Sequence, residues 1–135
     1  MGKTRARVST KAGITLDAGA LIALDRGDKR MIALLGQALV QNRRFRIPAG
    51  VVGQAWRDRR IQAVLARFLR TDEVEIVPLD EQLSRSCGEL CGARGTSDVI
   101  DASVVILARE RRDIIITSEP EDLRRLDPGS QIIRI

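Results

Sequence analysis

Gly13-Ile14-Thr15-Leu16-Asp17-Ala18-Gly19-Ala20-Leu21-Ile22-Ala23-Leu24 opens as a short apolar strand, reaches an aspartate, and continues without a linker into an apolar helix. An aspartate so placed stands at the carboxyl end of a strand, the edge at which open α/β sheets gather ligands and metals. Asp17 is therefore the point against which the other carboxylates of the chain are placed.

The chain has 135 residues, enough for one domain that buries roughly two-thirds of its unfolded surface. The expected division is a basic N-terminal tail over residues 1–12 and one folded domain over residues 13–135. Trp56, Phe45 and Phe68 are the aromatic residues and tyrosine is absent, so aliphatic side chains must build the core. Few aromatics also argue against a base-stacking platform. Histidine is absent as well, which excludes Ser-His-Asp and Cys-His catalysis, histidine acid–base pairs and histidine-ligated zinc. Any chemistry falls to carboxylates, hydroxyls, cations or a metal. A formal charge of +5 and a pI near 10.2 favour a polyanionic partner such as nucleic acid.

Cys87 and Cys91, four residues apart on one face of an expected helix, lack further ligands for a structural zinc site and read as reduced core residues of a cytoplasmic protein. Lys3, Arg5, Arg7 and Lys11 mark the basic tail, which has no apolar core and does not resemble a secretory signal. No stretch is apolar over a length that would cross a membrane.

Periodicity predicts a strand over about 13–16, helices over 18–25 and from about 29 to 41, and a short strand at Phe45-Arg46-Ile47. Pro48 suits the first turn of a helix carrying Val51, Val52, Ala55 and Trp56. A further helix over 59–70 would place Ile61, Val64, Leu65, Phe68 and Leu69 on one face. A strand at 74–79 and a helix over about 80–93 follow. Thr96 or Ser97 is a suitable N-cap for a helix from Asp98 to about Arg111. A strand over 113–118, a short helix over 120–126 and a strand over 131–135 complete the chain. This alternation predicts an α/β three-layer sandwich with a central, mostly parallel sheet of four or five strands.

With right-handed crossovers the carboxyl ends of parallel strands share one edge. Asp17 ends the first strand, Glu119 follows the fourth, and Asp122 lies about one turn later. The helix that feeds the fourth strand begins at the same edge, with Asp98 and Asp101 three residues apart on one face. Each has a structural alternative: Asp17 and Asp98 as acids at a helix N-terminus, Glu119 and Asp122 as first-turn acids beside Pro120. Asp101 precedes Ala102-Ser103-Val104-Val105-Ile106-Leu107-Ala108, apolar almost all round, so its carboxylate is shielded and calls for a cation. Several carboxylates in one pocket repel one another unless a divalent cation lies among them, and oxygen-only donors favour Mg²⁺ or Mn²⁺. Such a site suits phosphodiester hydrolysis.

Leu16-Asp17-Ala18-Gly19-Ala20-Leu21-Ile22-Ala23-Leu24, Ile47-Pro48-Ala49-Gly50-Val51-Val52, Ser97-Asp98-Val99-Ile100-Asp101-Ala102 and Ile116-Thr117-Ser118-Glu119-Pro120-Glu121-Asp122-Leu123 resemble, in order, the motifs of PIN domains. The size and spacing are similar to the VapC-type toxins of bacterial toxin–antitoxin pairs. That resemblance implies a magnesium- or manganese-dependent endoribonuclease, restrained by a cognate antitoxin and commonly a homodimer. It puts the first acidic ligand on Asp17, the third on Asp101 and the fourth on Glu119 or Asp122, with Asp98 as an accessory acid. At the second position, where the family usually has glutamate, stands Gln54, which keeps an acceptor oxygen but removes one charge. Asp58, one turn on, would substitute only if the helix turned it into the pocket. Arg57, Arg59, Arg60 and Arg94 are candidate phosphate contacts, with surface ion pairing as the alternative for each.

Two other readings fit parts of the sequence. One is a PIN-like module that binds RNA or protein but has lost competent chemistry at Gln54. The other is a phospho-receiver domain, disfavoured because Asp80 has a poor acceptor context and no lysine follows Lys29.

Overall fold

The computed structural model describes residues 11–135; residues 1–10 of the expected basic tail lie outside the described residues. In chain order the elements are β1 (Ile14–Leu16), α1 (Ala18–Asp25), α2 (Lys29–Val40), β2 (Phe45–Pro48), α3 (Ala49–Ala55) and α4 (Ala63–Leu69). β3 (Val74–Val77), α5 (Glu81–Arg94), α6 (Val99–Arg111), β4 (Ile114–Thr117), α7 (Pro120–Leu126) and β5 (Ile132–Arg134) follow. The sheet has five strands in the order β3-β2-β1-β4-β5, and every pairing is parallel. The expected α/β architecture is thus realised with a wholly parallel sheet.

The strand order explains where a site can form. From β1 the chain winds outward through β2 to β3, then α5 and α6 carry it back across the sheet to β4, on the other flank of β1. Right-handed crossovers put α1 to α4 on one face and α5 to α7 on the other. The direction of winding reverses between β1 and β4, and such a switch point opens a crevice beyond the strand carboxyl ends. Asp17 and Ser118 are the residues that follow those two strands.

The core is aliphatic, as the composition requires. Leu16, Ile47, Ile115 and Ile116 are fully buried strand residues, and Phe45 meets Phe68 edge-on with ring centroids 5.4 Å apart. The run Ala102 to Ala108 is buried on every side, because α6 is enclosed by the sheet, α5 and α7. This is why its sequence lacks an amphipathic period. Cys87 and Cys91 are buried, unpaired thiols, and burial pushes Cys87 up to about 11. A reactive thiolate is not expected there.

Several sequence expectations are corrected locally. Pro48 caps α3 rather than entering its first turn, and Trp56 falls just past the helix end. The helix expected over 59–70 begins only at Ala63. Gln62 prevents an earlier start: its Oε1 accepts the N–H groups of Arg57 and Asp58 at 2.6 and 2.8 Å, and its Nε2 donates to the Ala55 carbonyl at 2.9 Å and to Asp25 at 3.2 Å. That side chain satisfies the backbone of a loop, so Ile61 sits 78% exposed and Val64 also faces outward. On α2, Met31, Leu35 and Ala38 are buried whereas Ile32 and Leu39 are exposed. No helix among the described residues is long and apolar enough to cross a membrane.

Candidate functional site

Asp17 caps α1 and is only 7% exposed. Its Oδ1 accepts the Ala20 N–H at 2.9 Å, and its Oδ2 accepts a short hydrogen bond from the Thr117 hydroxyl at the end of β4. The Thr117 Oγ1 in turn accepts the Glu119 N–H at 2.9 Å. Burial raises the Asp17 pKa; these hydrogen bonds oppose the rise, and the nearby Glu119 charge adds to it. Asp17 is therefore both the expected helix cap and a carboxylate fixed across the switch between β1 and β4.

The second group comes from α6. Asp98 itself is the N-cap, in extended backbone, and its Oδ1 accepts the Asp101 N–H at 2.9 Å. This displaces the expected Thr96 or Ser97 cap, because an aspartate already in extended conformation reaches the third N–H of the helix. Burial is the largest cause that drives Asp101 up to about 7; the Asp98 charge, a side-chain hydrogen bond with Asp98, and the Asp17 and Asp122 charges follow. Asp17, Asp98, Asp101 and Asp122 thus share one electrostatic neighbourhood. Glu119 acts on Asp17, and Asp122 acts on Asp101.

All five carboxylates singled out in the sequence therefore reach the same edge. Gln54 is exposed on α3 and brings no charge. Asp58 lies outside α3 and pairs with Arg60 at 3.1 Å, so it does not replace the missing acid. Among the candidate cations, Arg57 donates to the Gly53 and Trp56 carbonyls. Arg60 is held by Asp58, while Arg59 and Arg94 are exposed. Asp80, the weak receiver candidate, caps α5 through the Leu83 N–H at 2.8 Å.

Thr117 was not singled out by sequence reading. Its signal was present in the hydroxyls that end the apolar run Ile114-Ile115-Ile116-Thr117-Ser118. Replacing Thr117 with valine removes the hydrogen bond that orients Asp17. The expected result is a fall of about 10- to 100-fold in divalent-cation affinity, as for the loss of other outer-shell partners. A Mn²⁺ titration of the folded variant checks it; unchanged affinity would make Thr117 a strand-end support only.

The donor set fits a hard divalent cation in chemistry: it is all oxygen and acidic, and its Asp101 is disfavoured as an anion first by burial and then by the acids around it. Among the described residues no three Cys, Asp or Glu side chains form a group placed to hold a metal ion. Mg²⁺ asks less of a protein than such a group, since one or two carboxylates can hold an ion that keeps several waters.

Helices on both faces of a five-stranded, wholly parallel sheet in the order β3-β2-β1-β4-β5 make this a PIN-like α/β domain. The sequence matches no protein-family model and no curated protein. Among solved structures it is similar to a chain of VapBC2 from Rickettsia felis bound to a promoter DNA fragment, with TM-score 0.65 and 16% identity over 90% of this chain and 98% of that one. DNA-bound VapBC from Salmonella typhimurium gives TM-score 0.65 and 16% identity over 92% and 98%. PAE2754 from Pyrobaculum aerophilum gives TM-score 0.59 and 19% identity over 93% and 92%. At these identities the likeness is one of fold.

Proposed function

We propose that this chain is a VapC-type PIN-domain toxin, an endoribonuclease that hydrolyses RNA phosphodiesters with Mg²⁺ or Mn²⁺ and is neutralised by a cognate antitoxin. The observation that carries this reading is the convergence of Asp17, Asp98, Asp101 and Asp122, with Glu119 beside Asp17, on one sheet edge. The fold likeness to chains of VapBC complexes supports the toxin–antitoxin setting and the antitoxin partner. Exposed Ile32, Leu39 and Val40 on α2 offer apolar surface for that partner or for a homodimer.

In this reading Asp17 and Asp101 are the principal ligands, and Asp98 and Glu119 support them. A divalent cation at such a site supplies charge neutralisation of the phosphodiester and activation of water. Thr117 and the Ala20 N–H fix the Asp17 carboxylate, so its orientation is set before any ligand arrives. Burial and then the Asp98 charge raise Asp101, so Asp101 must lose its proton before it can act as a ligand.

The neutral, exposed Gln54 favours one second reading, a PIN-like module that binds RNA or protein without cutting. Purified protein freed of partner, incubated with total RNA and Mg²⁺ or Mn²⁺, separates the two. The expected outcome is discrete cleavage that is lost with a chelator and falls at least about 100-fold in Asp17→Asn, beyond the usual effect of losing an outer-shell partner. A folded protein that binds RNA but leaves it intact would establish the binding module instead.

A further inference from the structure

Beside the acidic edge lies a groove of about 510 Å³, lined by Gly19, Ile22, Ala23, Arg26, Asp28 and Ser118. It runs along α1, whose Gly19, Ile22 and Ala23 line it. One end is Ser118, the residue between Thr117, which holds Asp17, and Glu119, which acts on it electrostatically. The other end is Arg26, about 10 Å away along the helix at 1.5 Å per residue. The side chains of Ile22 and Ala23 form a short apolar floor between these polar ends.

Local structure keeps the groove open. A Cβ added at Gly19 would stand 2.2 Å from the Ser118 Oγ, so glycine is what lets the two segments close up at the mouth. Arg26 caps the end of α1 through its backbone N–H, which donates to the Ile22 carbonyl at 3.0 Å. Its exposed guanidinium has no carboxylate partner among the described residues. Asp28 spends Oδ1 on the Met31 N–H, capping α2 at 2.8 Å.

Resting on the nuclease reading above, we propose that this groove is a subsite for the RNA nucleotide flanking the scissile phosphate, with Arg26 holding the next backbone phosphate. The volume lies in the range of small-ligand sites. An apolar floor suits a base or sugar, and a guanidinium suits phosphate. A docked protein segment would call for a longer apolar track than Ile22 and Ala23 provide. Its Ser118 end adjoins Thr117, which holds Asp17, so one strand can reach from the groove to the acidic edge.

The test measures binding of a short fluorescent single-stranded RNA by anisotropy across a salt series, with Ca²⁺ and with chelator. R26A should weaken binding several-fold and make the salt dependence shallower by about 0.7 in log–log slope, the share of one phosphate contact on a single strand. Ala23→Leu, which fills the floor without removing charge, should weaken binding with the slope unchanged. R85A, which removes an arginine paired with Glu81 on α5, should behave as wild type. Wild type and R26A binding alike would overturn the subsite while leaving the nuclease reading intact. No RNA binding by wild type under either condition would overturn both. Loss of binding to a copurified protein partner in R26A and Ala23→Leu, with RNA binding unchanged, would overturn the subsite in favour of a protein-docking groove.

Discussion

Asp101→Asn should fold more stably than the parent protein at pH 8 without divalent cation, and should have lost both cation binding and RNA cleavage. In the parent, folding raises the Asp101 pKa from 3.8 to about 7, first through burial and then through the acids around it. The folded state then binds more protons than the unfolded chain between those values, so stability falls as pH rises through that window. Below about pH 4 the carboxyl is protonated in both states and its contribution is fully retained; above about pH 7 it is lost. Because Asp101 is only half-buried, the difference between parent and variant at pH 8 is on the order of 1–2 kcal/mol after solvent screening.

Urea unfolding at pH 4 and pH 8, with and without Mg²⁺, checks this directly. The variant should gain at pH 8, match the parent near pH 4, and show no stabilisation by Mg²⁺. Added Mg²⁺ should stabilise the parent chiefly at the higher pH, where the ion no longer competes with protons. A variant less stable than the parent at both pH values would assign Asp101 to the helix and not to a ligand site. Stability lost at the carboxyl edge in exchange for function is a familiar arrangement in active sites.

Asp113→Ala should cost about 3–5 kcal/mol of stability, the usual effect of removing one partner from a buried ion pair. The Asp113 side chain is completely buried just before β4. Its Oδ1 accepts from the Arg46 guanidinium at 2.6 Å, and its Oδ2 accepts from the Thr15 hydroxyl at 2.9 Å. One carboxylate therefore ties β1 and β2 to the start of β4, at the sheet edge opposite the acidic site. Gly13 is part of the same arrangement, since a Cβ there would lie 2.3 Å from Arg46 Nη1 and 2.7 Å from Asp113 Oδ1.

Alanine leaves Arg46 charged and largely enclosed, with only Glu75 at 3.6 Å as an ionic neighbour among the described residues, and leaves the buried Thr15 hydroxyl without its acceptor. Such a loss is a large share of the roughly 5–15 kcal/mol that stabilises a typical domain. Asp113→Asn keeps an acceptor for Thr15 and should lose less. Equilibrium urea unfolding at pH 7 measures both, and a loss under about 1 kcal/mol in the alanine variant would mean that Glu75 satisfies Arg46 by itself.

Much of this architecture was legible in the chain. Local periodicity located α1 and α7 to the residue, and the apolar runs marked strands buried on both faces. The acids could be placed because parallel strands end, and their incoming helices begin, at one edge whatever the strand order. Asp17, Asp98, Asp101, Glu119 and Asp122 were thus assigned to a common region by chain direction alone. The loop ahead of α4 was not legible, since the arginines and Ile61 there fit a helix until Gln62 engages the backbone of Arg57 and Asp58.

What only tertiary structure decided lies between distant segments. Strand order made β1 and β4 neighbours, so Thr117 meets Asp17 across 100 residues and Thr15 meets Asp113 across 98. The same topology brought Arg46 to Asp113 and placed the later acids near the earlier ones, so that the Glu119 charge acts on Asp17 and the Asp122 charge on Asp101. Periodicity is a property of a few consecutive residues and their backbone geometry, so the sequence determines it by itself. Which strand lies beside which follows from the crossovers that bury the whole core, and those pairings exist only once the chain has packed.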